Sequence, residues 1–424
     1  MEKLTLEFAR KMDGEDMLRD YRDRFYLKEG EIYMDGNSLG LLSKDAETCI
    51  LRVLDEWKQY GINGWEKPAN PWFYYAEEMG SAQAAFFGAK PEEIVVHSSN
   101  TVNLHSIMAT FFNPQPGRDK IMIDELNFPS DRYAVESHLK MRGLDPEKNL
   151  VVIKSADGRT LDENHIISLM SDDIAFILLP GVLYRSGQLL DMEKLTKAAH
   201  EKNIIIGFDC CHSAGSVQHE FDKWDVDFAF WCNYKYFNNG PGGTASLYIN
   251  GKHFAKGPGM AGWQGFVKKK MFDMVQEFNP ESTAGAWQIG TPHMLSTAAL
   301  EGSLKLFHEA GMDNLRAKSL KLTDYMMMLI DNVLAPYGFG VGTPREAERR
   351  GGHVALEHDD AIRINSALKS NGVVPDFRYP NVIRLAPIAL YNSFEDVWNV
   401  VDILKNIMDT KEYENYSSER GTVA

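Results

Sequence analysis

The sequence predicts an α/β protein in which helices cover both faces of a mostly parallel, seven-stranded sheet, followed by a smaller α+β domain. Three observations lead to this prediction. Short apolar runs recur between residues 94 and 249, which is typical of buried strands. Helical patterns fall between most of these runs, as the crossover connections of a parallel sheet require. Beyond Gly290 the alternation gives way to long helices and isolated strands.

Two helices around an extended piece are predicted within the first 60 residues. Residues 8–26 show mixed helical periodicity, and residues 32–34 form a short apolar run before a turn with two glycines at residues 35–40. Ser43 is a suitable N-cap for the second helix, which has acidic residues in its first turn. This helix ends before Gly61, a residue that favours helix termination.

Strands and helices alternate through the middle of the chain. The predicted strands are residues 94–97, 120–124, 150–154, 175–179, 204–209, 228–232 and 246–249. The predicted helices are residues 72–87, 101–112, 130–141 and 192–202. Ligands of such sheets bind outside the carboxyl ends of the strands. We therefore look for functional residues directly after these apolar runs.

The C-terminal part predicts the smaller domain. Its helices are residues 294–310, 312–334, 360–370 and 393–408, and its strands are residues 353–358 and 382–385. We assign residues 61–290 to the large domain and residues 291–424 to the small domain. Residues 1–60 are predicted to form an N-terminal segment that packs with the small domain.

The composition favours a globular protein that acts on a small molecule. Acidic residues outnumber basic residues by 60 to 45, so the formal net charge is −15 and we expect no nucleic-acid partner. No apolar run approaches the roughly 18 residues of a membrane span and no apolar leader is apparent, so we expect neither membrane insertion nor secretion. The four cysteines lack the spacing of a disulfide framework, which favours a reducing cytoplasm.

Two residues at predicted strand ends indicate pyridoxal phosphate (PLP) chemistry. Asp209 ends the run 204–209, and Lys235 follows the run 228–232. A lysine amine forms a Schiff base with the PLP aldehyde, and an acid pairs with the protonated pyridine nitrogen. Either residue alone would be a surface lysine or a helix cap. Their combination at neighbouring strand ends favours the cofactor site.

Other residues fit the remaining needs of such a site. Thr101 lies where a predicted strand meets a helix, a favourable place for a phosphate, and Phe128 is placed to stack on the pyridine ring. Arg384 is flanked by apolar residues and is a candidate for binding a substrate carboxylate. The glycine pattern at residues 257–262 contains proline and follows no strand directly, so we reject it as a dinucleotide site. No tight ligand set surrounds His212, and we predict no metal site.

Several motifs together resemble the kynureninase family, in register from about residue 30 to residue 410. They are Asn37-Ser38-Leu39-Gly40, Thr101-Val102-Asn103-Leu104-His105, Phe128-Pro129-Ser130-Asp131, Gly207-Phe208-Asp209 with His212, Asn233-Tyr234-Lys235-Tyr236, Gly262-Trp263 and Arg384-Leu385-Ala386-Pro387. The resemblance implies a PLP-dependent transferase fold of type I and a homodimer with active sites shared between subunits. It implies hydrolysis of L-kynurenine to anthranilate and L-alanine in tryptophan catabolism.

The resemblance also implies roles for individual residues. Lys235, Tyr234 and Asp209 would be catalytic, with Lys235 bonded to the cofactor and Tyr234 either moving a proton or holding the phosphate. The cofactor would be bound by Asn100, Thr101, Phe128, Pro129, Ser130, Asp131, Asp209, His212, Tyr234 and Lys235, with Trp263 and Thr291 contributed by the partner subunit. The substrate would be bound by Arg384, Trp65, Asn37, Ser38 and Gly290.

Three positions refine this resemblance. Pro180 stands where some relatives have a serine, so that side-chain hydrogen bond is left out of the expected site. Trp65 and the pair Gly290-Thr291 resemble the bacterial type, which prefers kynurenine over 3-hydroxykynurenine. An apolar wall formed by Trp65 would leave the ring hydroxyl of 3-hydroxykynurenine without a hydrogen-bond partner. One wall residue, however, changes the free energy of discrimination between the two substrates by only about 1–3 kcal/mol. The 3-hydroxy compound therefore remains a candidate second substrate.

Three alternatives remain at this point. Another type I PLP enzyme, such as a cysteine desulfurase or an aminotransferase, would share Asp209 and Lys235. A desulfurase needs a reactive cysteine on a mobile loop, whereas all four cysteines lie in predicted helices or at strand ends. A nicotinamide-dependent dehydrogenase would have to use the rejected glycine pattern. A catalytically silent PLP-binding protein would have no need of Arg384.

Overall fold

The computed structural model describes residues 2–419, which contain thirteen strands and twelve α-helices. The strands are β1 (Ile32–Tyr33), β2 (Ile94–Val96), β3 (Lys120–Asp124), β4 (Leu150–Ile153), β5 (Ile174–Pro180), β6 (Ile205–Asp209), β7 (Phe228–Trp231), β8 (Ser246–Ile249), β9 (Gly340–Val341), β10 (Val354–Glu357), β11 (Val373–Val374), β12 (Asp376–Arg378) and β13 (Val382–Leu385). The helices are α1 (Leu6–Gly14), α2 (Lys44–Tyr60), α3 (Tyr75–Gln83), α4 (Asn100–Phe111), α5 (Pro129–Met141), α6 (Pro146–Asn149), α7 (Glu163–Ser168), α8 (Met192–Glu201), α9 (Met294–Ala310), α10 (Met312–Leu329), α11 (Ala361–Ser370) and α12 (Phe394–Asp409).

Seven strands form the large sheet in the order β2-β8-β7-β6-β5-β3-β4. Strand β8 runs antiparallel to both of its neighbours, and the other pairs in this sheet are parallel. Apolar side chains fill both faces, with Phe176 and Phe228 stacked on one face and Phe87 and Trp231 on the other. All seven strands lie at the positions that the sequence predicts. A continuous apolar run identifies such strands because both of their faces are buried.

The smaller sheet is antiparallel, with the order β12-β13-β10-β9. Its core includes residues of α10, α11 and α12. Strand β1 of the N-terminal segment pairs in parallel with β11, so that Ile32 lies beside Val373. Asp13, near the end of α1, accepts hydrogen bonds from the first backbone N–H groups of α12. The exact domain boundaries at residues 61 and 291 stay a prediction.

The structure differs from the predicted elements in several places. Helix α1 ends at Gly14, and residues 19–24 form only a tight helical turn, although one periodic pattern covers both stretches. The pattern at residues 72–87 is a short helix, α3, between two such turns. Strands β9, β11 and β12 have two or three residues each and escape any periodicity argument. Within residues 2–419 no helix is long and apolar enough to cross a membrane.

A buried ion-pair network joins β6, β7 and β8 at the end of the sheet where β7 begins. The carboxylate of Asp227 is buried and accepts hydrogen bonds from His200 (3.0 Å), His253 (2.8 Å) and the backbone N–H of Ile206 (2.9 Å). Lys252 Nζ lies 2.9 Å from the same carboxylate. Burial opposes its ionisation, but these donors and cations outweigh burial and hold the pKa of Asp227 well below its ordinary value.

We predict that Asp227→Asn destabilises the protein by about 3 kcal/mol at pH 7, because it leaves buried donors and cations without their shared anion. Urea unfolding followed by circular dichroism measures this change. The folded pKa is depressed, so the stabilisation is complete above the unfolded pKa of about 4 and is lost as the pH falls below it. The difference between the two proteins should therefore shrink in acid.

Asp172→Asn is the matched control, because Asp172 is exposed and lies 3.8 Å from Lys202 Nζ. It should change the free energy of unfolding by less than about 0.5 kcal/mol. A loss below about 1 kcal/mol for Asp227→Asn would show that the network does not hold these strands together.

Candidate active site

A cavity of about 230 Å³ opens at the carboxyl ends of the parallel strands. It is lined by Asn37, Ser38, Asn100, Thr101, Asn127, Phe128, Ser130, Val182, Tyr184, Asp209, Cys211, His212, Tyr234, Lys235, Arg378 and Arg384. Asp209 ends β6, and Lys235 follows β7, the neighbouring strand. The parallel pairing of these strands therefore brings together two residues that are 26 positions apart in the sequence.

Lys235 is held by a histidine on the loop after β6. Its Nζ atom lies 2.9 Å from His212 Nε2, and 6.0 Å from the centre of the Tyr234 ring. Burial, together with the nearby charges of Lys235 and Arg384, lowers the pKa of His212 well below its ordinary value. The imidazole is therefore neutral at physiological pH, and its Nε2 atom can accept a hydrogen bond from the Lys235 ammonium.

The carboxylate of Asp209 is fixed by the turn that follows it. Its Oδ1 atom accepts a hydrogen bond of 2.8 Å from the backbone N–H of Cys211. Asp131 lies behind it, and burial together with the adjacent Asp209 raises the pKa of Asp131 well above its ordinary value. Asn127 Nδ2 donates to Asp131 Oδ2 at 3.0 Å. In its protonated form, Asp131 can donate a hydrogen bond to the carboxylate of Asp209.

Two helix N-termini border the same cavity. Helix α4 begins at Asn100 after Ser99, and α5 begins at Pro129 after Phe128. In neither helix does the side chain of the N-cap residue accept a hydrogen bond from a backbone N–H of the first turn. The Oδ1 atom of Asn100 is buried without a hydrogen-bond partner. The Phe128 ring is half-exposed and packs edge-on against Tyr184 at 5.5 Å. Free backbone N–H groups at these ends favour an anion in the cavity.

Arg384 on β13 approaches from the small sheet and is almost fully buried. Its guanidinium is paired with Asp376, and it donates 2.9 Å hydrogen bonds to the carbonyl of Tyr184 and to Ser38 Oγ. Burial lowers the pKa of Arg384, and Asp376 opposes that shift. Asn37 is fully buried beside it, and neither its Oδ1 nor its Nδ2 atom has a partner. This corner therefore offers a cation and an unsatisfied amide.

The cavity contains most, but not all, of the residues that the sequence singles out. Asp131 is buried behind Asp209, and Pro129 is the first residue of α5. Trp65, Trp263 and Thr291 line a separate pocket of about 460 Å³, and Gly290 precedes Thr291. None of these four residues lines the cavity that contains Lys235, and the assignment of Trp263 and Thr291 to the partner's site stays a prediction. The same pocket contains Trp65, which the family resemblance assigns to substrate binding without assigning it to the partner subunit.

Some residues that line the cavity are not predicted from the sequence as site residues. They are Asn127, Val182, Tyr184, Cys211 and Arg378, and Asp376 supports the cavity from behind. Asn127 directly precedes Phe128 at a strand-to-helix junction, a position that could have drawn attention to it. Asp376 and Arg378 alternate with Phe377 on a three-residue strand, which is too short to be recognised. Pro180 ends β5 in register with Asp209.

Comparison with known proteins identifies the family. Residues 315–404 match the kynureninase C-terminal domain. A kynureninase from Geobacillus thermodenitrificans is 56% identical over 420 residues, covering 99% of this chain and 98% of that protein. The chain belongs to the kynureninase family. The family assignment made from the sequence motifs is thereby confirmed.

The fold of this kynureninase family member also occurs in more distant proteins of known structure. A mutant of C-DES with glycine covalently linked to its PLP cofactor has a TM-score of 0.77 and 16% identity, covering 90% of this chain and 98% of that one. A cysteine desulfurase from Thermococcus onnurineus has a TM-score of 0.73 and 19% identity, covering 92% and 98%. The predicted fold class, a type I PLP-dependent transferase fold, is confirmed.

Gly40 brings the N-terminal segment against the loop of Lys235. Its backbone N–H donates a 2.8 Å hydrogen bond to the carbonyl of Tyr234. A Cβ atom at this position would lie 2.8 Å from the Cα of Asn238 and would overlap the Lys235 carbonyl oxygen. Only glycine allows this approach of two backbones. The segment that supplies Asn37 and Ser38 is thereby fixed relative to Lys235.

We predict that Gly40→Ala destabilises the protein by about 1–3 kcal/mol, because the added methyl group forces the two backbones apart. The free energy of unfolding in urea measures the effect. Gly14→Ala is the control, since a Cβ atom there meets no atom within 4 Å. Equal stabilities for the two variants would contradict the close packing of Gly40 against the Lys235 loop.

Proposed function

We propose that this protein hydrolyses L-kynurenine to anthranilate and L-alanine, with PLP as its cofactor. The observation that carries the proposal is the cavity in which Lys235, Asp209 and Arg384 meet, in a chain of the kynureninase family. Lysine and aspartate are the two residues that a PLP site requires, and a buried arginine suits a substrate carboxylate. We propose 3-hydroxykynurenine as a slower substrate, because Trp65 offers no partner to a ring hydroxyl.

The residues of the cavity fit the cofactor. Lys235 is the amine for its aldehyde, and Asp209 is the anion for its pyridine nitrogen. The uncapped start of α4, with Asn100 and Thr101, suits its phosphate, and the half-exposed Phe128 ring is available to stack on it. Ser130, on the first turn of α5, adds a hydroxyl to the cavity wall. When bound, PLP supplies an aldehyde for the substrate amine and a ring that stabilises the electrons left at the substrate carbon.

Arg384 and its neighbours would orient the substrate. Asp376 and the Tyr184 carbonyl hold the guanidinium plane in place, so little side-chain entropy is lost when it binds a carboxylate. The Ser38 hydroxyl now accepts from Arg384 and can instead donate to the same carboxylate. The buried amide of Asn37 has both a free donor and a free acceptor for polar atoms of the substrate. These contacts fix the carbon that loses a proton relative to Lys235.

Lys235 and Tyr234 would move the protons. Freed from the cofactor, the Lys235 amine takes the proton from the substrate α-carbon, and the neutral His212 at 2.9 Å keeps it oriented. Nearby negative groups and partial burial raise the pKa of Tyr234, so its hydroxyl stays protonated and can donate to the product carbon. Water attacks the carbonyl carbon of the substrate side chain and loses a proton, and the bond between that carbon and the β-carbon breaks. The carbonyl carbon leaves as the carboxylate of anthranilate, and the β-carbon takes up the proton that Tyr234 donates.

The exclusion of a cysteine desulfurase rests on the positions of the cysteines. Cys210, Cys211 and Cys232 are buried, and Cys49 is partly buried on α2. No cysteine stands on an exposed loop in residues 2–419, where all four lie.

The other two alternatives are disfavoured by other residues. The glycine pattern at residues 257–262 follows a tight helical turn and leads into no α-helix, which disfavours the nicotinamide dehydrogenase. Arg384, buried and paired, argues against a catalytically silent protein. The free thiols of the four cysteines also favour a location in the reducing cytoplasm.

We propose that the protein acts as a homodimer in which each subunit completes the other's site. Ile62, Trp263, Phe272, Met274 and Val275 are exposed apolar side chains near the pocket that contains Trp65 and Thr291. A soluble monomer rarely leaves so many large apolar side chains together in water. A second copy of the chain would cover this surface and could bring Trp263 and Thr291 to the cofactor phosphate.

We predict that the PLP-supplied protein releases anthranilate from L-kynurenine and that Lys235→Ala abolishes this release, a loss of more than about 10³-fold. Anthranilate fluorescence measures the rate. Lys28→Ala is the control, since Lys28 is exposed and pairs only with Glu31. Near-normal turnover by Lys235→Ala, or none by the unaltered protein with PLP bound, would overturn the proposed function.

We predict that mixing two impaired variants, Lys235→Ala and Trp263→Ala, restores activity. When the two variants are unfolded and refolded together, half of the randomly formed dimers contain one chain of each kind. If Lys235 and Trp263 of one site come from different subunits, each mixed dimer has one intact site and one site that lacks both residues. A quarter of all sites is then intact, and the mixture should reach about a quarter of the unaltered activity. Activity no higher than the mean of the two separate variants would show that both residues serve the site of the same chain.

A further inference from the structure

Two cysteines lie side by side where β6 and β7 leave the sheet. The register of the two strands pairs Asp209 with Phe230, and Cys211 and Cys232 each follow two residues later. The backbone N–H of Cys232 donates to Cys211 Sγ at 3.3 Å, and the two thiols lie within hydrogen-bonding reach of each other. Both side chains are free thiols and both are buried, with Cys211 on the cavity wall.

The contact between the two residues is close enough for a disulfide bond to form. Both lie just beyond the ends of their strands, where Cys211 Sγ is 3.3 Å from the backbone N of Cys232 and within hydrogen-bonding reach of its thiol. Cys210, by contrast, is fully buried and contacts the opposite side, where it lies near Gly181 and Ser213. Cys49 lies on α2, in the N-terminal segment. Among the four cysteines, the geometry therefore selects one pair.

We propose that Cys211 and Cys232 form a redox-sensitive dithiol that a peroxide oxidises to a disulfide when the cavity holds no cofactor. Formation of the disulfide does not depend on the proposed reaction; its effect on PLP uptake rests on the proposed cofactor site. Burial raises the pKa of Cys211, whereas for Cys232 burial is outweighed by the hydrogen bond from Cys211 and by the charge of Lys235, which lower its pKa. Cys232 is therefore the thiol that ionises first.

The oxidation balances with hydrogen peroxide as the oxidant. Cys211, which lines the cavity, passes its proton to the Cys232 thiolate through the hydrogen bond between them, and the resulting Cys211 thiolate attacks one peroxide oxygen. The O–O bond breaks, and the leaving hydroxide takes up the proton that Cys232 first released, giving water and a sulfenic acid on Cys211. The Cys232 sulfur then attacks the Cys211 sulfur and displaces hydroxide, which takes the Cys232 proton and leaves as a second water. Two thiols lose two electrons, and one peroxide becomes two waters.

The disulfide would disturb both residues on which PLP binding depends. The backbone N–H of Cys211 holds the Asp209 carboxylate at 2.8 Å, and Cys232 lies three residues before Lys235 and contacts Tyr234. Closing the sulfur atoms to the bond length of about 2.05 Å draws these two strand ends together. Bound PLP would occupy the cavity and shield the thiols from peroxide. Oxidation is thus expected to act on the empty site.

The test treats the full-length protein with hydrogen peroxide, with and without bound PLP, and then alkylates the remaining thiols after unfolding. Without PLP, free thiols should fall from four to two. Trypsin cuts after Lys223, between the two cysteines, so the disulfide appears as two peptides joined by a bond that dithiothreitol breaks. With PLP bound, oxidation should be at least about tenfold slower. The joined peptides should persist in Cys210→Ser and vanish in Cys211→Ser.

Uptake of PLP by the oxidised protein, followed by its absorbance, should be reduced about tenfold and restored by dithiothreitol. Four unreacted thiols, a link that contains Cys210, or oxidation without a link would overturn the dithiol. A Cys211–Cys232 link with undiminished PLP uptake would overturn its effect on the site. Each of these readouts is independent of kynurenine turnover, so the dithiol can stand or fall without the proposed reaction.

Discussion

The parallel pairing of β6 with β7 is the constraint on which the site depends. It sets Asp209 beside Phe230, and the loops that follow carry His212 and Lys235 into one cavity. The side-chain period of a strand is two residues, so a slip of one position would turn Asp209 away from the cavity. Packing of Phe228 on Phe176 on one face and of Trp231 on Phe87 on the other opposes such a slip, because a slip would break these ring contacts. The position of the reactive lysine is therefore a consequence of core packing.

Two buried charged residues in the interior are each paired. Arg384 is matched by Asp376, and Asp227 by two histidines and a lysine. An unpaired charge at either place would cost several kcal/mol. The amide of Asn37 and the uncapped start of α4 are unsatisfied by contrast, and both border the cavity. A buried polar group without a partner calls for an explanation, and at these two places a bound ligand would supply one.

The sequence could predict the large sheet because each of its strands is a continuous apolar run. Lys235 and Asp209 could be found because a lysine and an acid at two neighbouring strand ends are the combination that PLP chemistry requires. Asp376 could not, since a three-residue strand carries no pattern and its partner Arg384 comes from the next strand of the small sheet. Cys211 lines the cavity only because of where the turn after β6 points its side chain. Pairings across strands and loops depend on register and turn geometry, which local sequence does not encode.

The pairing of β1 with β11 has a consequence for synthesis on the ribosome. Ile32 must wait for Val373, so 341 residues are added before its partner exists. At about 5–20 residues per second this delay is on the order of half a minute. The nascent chain therefore carries an unpaired strand and an incomplete pocket, without the Ser38–Arg384 contact, until residue 384 has been added and has left the ribosome. The N-terminal segment can thus contribute to the pocket only after the strands of the small sheet have been made.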